Sequence, residues 1–98
     1  MKSNKMNDKI TKELLEKYLK LSSRALKIVK KNVVSGRDKD ANEIFEMVSN
    51  YLNDAKYFRD NGDLVRAFGA VNYAHGWIDS GVRLGVFDVD DDKLFTVK

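Results

Sequence analysis

The 98 residues contain no cysteine and no proline. Without cysteine there is neither a disulfide nor a thiolate metal site. Without proline nothing forces a kink, and long continuous helices are unopposed. Histidine occurs once, at His75, so paired histidine ligands are absent too. A glycine-rich phosphate loop is also missing. No cofactor and no metal are therefore expected. No apolar run approaches the roughly 20 residues of a membrane span, and no membrane partner is expected. The opening MKSNKMNDK is polar and lacks the apolar stretch of a secretory signal. A cytoplasmic location is expected on that ground.

Ninety-eight residues make one domain, large enough for an independent core without covalent staples. The net charge of +3 conceals an asymmetry: residues 1–39 carry a balance of +8 and residues 40–98 a balance of −5. The basic first part either steers an anionic partner or holds the acidic remainder against it.

Apolar spacing predicts three helices, over residues 8–34, 41–61 and 64–84. In the first, Leu14, Tyr18, Leu21, Ala25 and Ile28 form one row, and Leu15, Leu19, Leu26, Val29 and Val33 a second beside it. Asp8 is the expected N-cap and Gly36 the stop. Glu13 with Lys17, and Glu16 with Lys20, stand at ion-pair spacing. In the second, Ile44, Val48, Tyr51, Ala55 and Phe58 form the main row, widened by Ala41, Phe45 and Leu52. Asp40 is the expected cap, with Glu43 as its capping-box partner. Asn61-Gly62-Asp63 leaves only a tight turn before the third helix, which makes the last two helices antiparallel neighbours. The fold expected is all-α: an up-down-up three-helix bundle with a short irregular or extended C-terminal tail over 86–98. Phe87, Val89, Leu94 and Phe95 are expected to fold back onto the bundle. A first helix longer than the others would overhang them and invite a dimer.

On a helical wheel of the third helix, Leu64, Phe68, Val71, His75, Ile78 and Val82 share one line, and Ala67, Ala70, Ala74, Trp77 and Gly81 an adjacent one. These are expected to be core. The opposite arc holds Arg66, Gly69, Asn72, Tyr73, Gly76, Asp79, Ser80 and Arg83. Two glycines on that side are unusual, because each costs about 1 kcal/mol relative to alanine in a helix. Either the tail or the start of the first helix crosses there, or the glycines are tolerated drift, or a partner approaches the bare backbone.

The run YFRDNGDLVRAFGAVNYAHGWIDSGVRLGVFDV, residues 57–89, resembles the archaeal family catalogued as domain of unknown function 357. The resemblance implies a small helical bundle and an archaeal, cytoplasmic source. It supplies no activity, substrate or catalytic residue. The same stretch has a tetratricopeptide look in its Gly-Asp turn, but no repeat of about 34 residues follows.

His75 with Asp79 at i+4 is the one pairing that suggests acid–base chemistry. Ser80 sits far round the helix from His75, so no triad follows. His75 among apolar neighbours reads first as a hydrogen-bonded boundary histidine. Asp88, Asp90 and Asp92 match the first positions of a calcium loop, but Lys93 replaces its glycine and no glutamate occupies its last position. They read as a solvated acidic turn. Lys17, Lys20, Arg24, Lys27 and Lys31 form a basic stripe on the first helix that can track phosphates, with no interleaved aromatic to stack on bases.

The function expected is a non-enzymatic protein-interaction or self-association module. It would bind itself, as a homodimer, or another protein through Arg66, Gly69, Asn72, Tyr73, Gly76, Asp79 and Arg83. The alternative is a nucleic-acid-associated accessory protein using the basic stripe. An enzyme using His75 and Asp79 stands third.

Overall fold

The computed structural model describes residues 8–90 and Phe95. Three helices fold as expected: α1 over Lys12–Lys30, α2 over Asp38–Asp60 and α3 over Leu64–Arg83. Contacts along their length fix the directions. Tyr18 meets Phe68 edge-on, with ring centroids 5.4 Å apart, and Ser22 meets His75 further along both helices. So α1 and α3 run parallel. Arg59, near the end of α2, reaches Glu16 near the start of α1 at 3.2 Å, so α2 runs the other way. This is the up-down-up bundle.

α3 packs more extensively against both neighbours than α1 and α2 pack against each other. Its inner arc, with Ala67, Ala70, Val71, Ala74, Ile78, Gly81 and Val82, is buried. Leu15, Leu19, Ala25 and Val29 meet it from α1, and Ala41, Ile44, Val48, Leu52 and Ala55 from α2. The first apolar row of α1 is only half-buried at Leu14, Tyr18, Leu21 and Ile28, and buried at Ala25.

The helix ends depart from the sequence reading in three places. α1 starts three residues after the expected cap, at Thr11, whose Oγ1 accepts from the Leu14 N–H at 3.1 Å. It also ends early. The β-branched pair Val33-Val34 leaves the helix for extended pairing with the chain after α3. The Val34 N–H donates to Val86 O at 2.9 Å, and the Asp88 N–H to Asn32 O at 2.8 Å. Val33 and Phe87 form an antiparallel bridge. α2 begins before Asp40, with Arg37 at the N-cap position and no side-chain cap. Asp40 instead lies in the first turn, where its charge suits the helix dipole, and pairs with Arg37 at 3.1 Å. Arg37 Nη1 also donates to Leu84 O at 3.2 Å, tying the start of α2 to the end of α3.

The turn between α2 and α3 matches expectation. Gly62 takes φ +78, the left-handed region open to glycine. The Asp63 N–H donates to Phe58 O at 2.8 Å, and the Asp63 carboxylate accepts from the Arg66 N–H at 3.0 Å. The tail returns as expected at Phe87 and Phe95, which are buried, and at Val89, which is half-buried; Val86, not among the expected residues, is buried too. Leu94 lies outside the described residues. Phe87 stacks on Phe45 at 5.5 Å.

Gly81 is where this return requires glycine. A Cβ there would overlap the Phe87 ring and lie 2.9 Å from Ile44 Cδ1. Gly81→Ala is expected to lower stability by about 1–3 kcal/mol through overpacking, despite the better helix propensity of alanine. Urea unfolding followed by circular dichroism checks this.

Candidate functional site

The outer arc of α3 follows from the inner one. Alanines and Gly81 bring one side against two neighbours, and the residues opposite are left outward. Arg66, Gly69, Asn72, Tyr73, Gly76, Ser80 and Arg83 are exposed. Asp79 is the exception among the expected face residues: it is half-buried and turns toward His75, 3.8 Å from Nε2. Val65, 72% exposed, adds an apolar side chain beside Arg66 at the start of the face.

No close crossing by the described residues explains either glycine. Among the described residues, nothing lies within 4 Å of a Cβ built at Gly69 or Gly76. Neither has a positive φ. Within the described residues the bare backbone there has no steric cause.

Beside Gly76 lies an open, mainly apolar groove of about 530 Å³, with Asn72, Tyr73, Gly76, Trp77 and Ser80 on its wall. Trp77 was expected in the core; it sits half-buried at the boundary and lends its surface to this groove. Tyr73 is 65% exposed, yet its ring is held by stacking on Tyr51 of α2 at 5.2 Å and 15°. Tyr51 belongs to the main apolar row of α2 and is half-buried. The register that brings it beside Tyr73 comes from the tight turn at Gly62.

His75 is half-buried, and its Nδ1 is hydrogen-bonded to Ser22 Oγ at 3.0 Å. Ser22 is 1% exposed. The histidine thus links α3 to α1 and takes no part in the groove beside Gly76. Ser22 carried no signal in the sequence, because its partner lies 53 residues away. Asp88 and Asp90 are described and Asp92 is not. Among the described residues no group of three histidines or carboxylates stands together as a metal site.

The basic stripe divides. Lys20, Arg24 and Lys27 line a second groove, where Lys56 and Arg59 of α2 join them. Lys17 lies over the Tyr18 ring at 5.9 Å, and Lys31 is the C-cap of α1. Neither is on that groove. Glu16 pairs with Arg59 rather than with Lys20. Arg59 also meets Asp60 at 3.0 Å. The Asp60 hydrogen bond, with further help from the Glu16 charge, holds its guanidinium still further above the ordinary arginine value.

The chain matches the family described as a protein of unknown function (DUF357) over residues 17–87, and it belongs to that family. No curated protein and no solved structure matches it. No described helix is long and apolar enough to cross a membrane.

Gly69→Ala and Gly76→Ala are each expected to stabilise the isolated chain by about 0.4–1 kcal/mol, since the space is open and the backbone helical. The pair should raise the melting temperature by several degrees, roughly 4–8 °C per kcal/mol for a domain of this size. A calorimetric scan at low concentration measures it.

Proposed function

We propose that this domain is a non-enzymatic protein-interaction or self-association module, at work in the archaeal cytoplasm that the family resemblance implies, and that its docking surface is the outer arc of α3. The observation that carries this reading is the open backbone at Gly69 and Gly76. Both glycines weaken the helix and neither relieves a crowded contact within the described chain. A partner helix gains from them, because its backbone can approach to the distance that a Cβ would forbid.

The surroundings suit that use. Tyr73 and Trp77 offer large apolar surfaces with few rotamers to freeze, the kind of residue that dominates binding energy at interfaces. The stacking of Tyr73 on Tyr51 limits its freedom before a partner arrives. Asn72 and Ser80 supply hydrogen-bonding groups at the groove wall. Arg66 and Arg83, exposed at the two ends of the arc, supply rim charges that select orientation more than affinity. His75 and Asp79 support the face from behind and are assigned no chemistry.

The test uses Gly69→Glu/Gly76→Glu. Glutamate is a good helix former and both positions are open, so folding should survive, as circular dichroism will show. The expected result is loss of association: a lower mass by light scattering for a self-associating chain, or loss of a partner retained by the wild type. Unchanged mass together with an unchanged set of partners contradicts the proposal.

A further inference from the structure

α1 and α2 touch each other sparingly, and a trough runs between them. One stretch, of about 390 Å³, is lined by Leu19, Lys20, Ser23, Arg24, Lys27 and Lys56, with Glu16 and Arg59 at its end. The adjoining stretch, of about 260 Å³, shares Ser23, Lys27 and Lys56 with the first and adds Lys30, Ser49 and Asn53. The three shared residues make the two stretches continuous.

The charges in this trough are unusual in their company. Glu16 is the one carboxylate on its wall, and it is taken by Arg59. Among the described residues, Lys20, Arg24, Lys27, Lys30 and Lys56 form no ion pair. Five cations from two helices therefore line one channel whose single carboxylate is already paired, the Lys30 ammonium lying also over the Phe45 ring at 5.7 Å. Their mutual repulsion opposes folding, and an anion laid along the trough reverses its sign. The chain has carboxylates enough to neutralise the trough, with 15 in total, but they are placed elsewhere.

Shape and composition select the kind of anion. Lys20 to Lys30 spans ten residues, about 15 Å of helix. That matches about four successive phosphates of one duplex strand, spaced ~3.4 Å along its axis. A long channel fits a linear chain of anions better than a single one. No aromatic ring lines either stretch, so there is nothing for an unstacked base to stack on. A membrane surface fits poorly, because the exposed large apolar residues Tyr57, Val65, Tyr73 and Leu84 all lie off the trough. Peripheral helices need such residues beside their cations to enter a bilayer. Ser23, Ser49 and Asn53 offer neutral donors between the cations, suited to phosphate and sugar oxygens.

We propose that the α1–α2 trough binds the phosphodiester backbone of a double-stranded nucleic acid, without reading its sequence. The surface is separate from the outer arc of α3, so binding in the trough stands or falls independently of docking there.

The experiment titrates the full-length protein into fluorescently labelled duplexes of about 20 base pairs, one DNA and one RNA of the same mixed sequence, and follows anisotropy. Binding is expected with little sequence preference. Four phosphate contacts imply that affinity falls roughly fifty-fold as salt rises from about 50 to about 150 mM. Lys27→Glu/Lys56→Glu is expected to weaken binding at least about tenfold at the lower salt, and Lys27→Gln/Lys56→Gln by less. Lys9→Glu/Lys39→Glu makes the same change in net charge at exposed residues off the trough. It should stay within about threefold of wild type. Retained helical circular dichroism in all variants excludes misfolding as the cause. Three results overturn the proposal: no binding of either duplex at about 50 mM salt, equal losses in the trough and control variants, or capture by phosphatidylserine vesicles in preference to both duplexes.

Discussion

The rest of the molecule depends on how closely α3 can approach two neighbours at once. Ala67, Ala70 and Ala74 present a single carbon to the core, and Gly81 presents none. A helix with longer side chains on that arc would stand further off. Ile44 would then lose its seat, and Phe87 could not fold back over the end of α3 to stack on Phe45. The bridge between Val33 and Phe87 and the Arg37 bond to the end of α3 follow from the same approach. They join all three helices at one end of the bundle, while the Gly62 turn and the Arg59–Glu16 pair close the other.

Placing α3 in this position has two consequences at the surface. Its inner arc is spent on two neighbours, so its outer arc is turned to solvent, and the two glycines there are bare for no reason within the described chain. Since α3 takes most of the packing from both partners, α1 and α2 are left with a sparse contact and a trough between them. The cations line that trough. The two surfaces differ in kind: one is aromatic with bare backbone, the other cationic without rings.

Local chemistry was legible in the sequence. Gly62 and Asp63 announced the turn because a left-handed residue followed by a cap needs only its neighbours. The apolar rows located the helices, and the tail's return at Phe87 could be read from its composition. Most of what was misread depended on residues far away. Asp40 looked like a cap and α1 looked longer, but Val33 and Val34 are drawn out of α1 by Val86 and Phe87, and Arg37 is held by Leu84; only the loss of the Asp8 cap to Thr11 is local. The Ser22–His75 bond and the Tyr51–Tyr73 stack join residues whose proximity only the helix register sets. The trough was half visible. The α1 cations were read as one stripe, but Lys56 and Arg59 lie on a helix whose overall charge is acidic, and their place opposite Lys20 and Lys27 required the antiparallel packing. Trp77 sat at the edge of the wheel, where its assignment to core or surface depends on a few degrees of rotation.

The central claim, that the outer arc of α3 is an occupied surface, is tested most directly by photo-cross-linking from that arc in cells expressing the protein. A photoreactive residue is placed at Asn72 or Ser80 on the arc, and at Asn42 on the exposed side of α2 as the control. The account predicts a discrete cross-linked species from Asn72 and Ser80, carrying either a second copy of the chain or one partner, and none from Asn42. No discrete product from the arc, or the same products from all three positions, would contradict it.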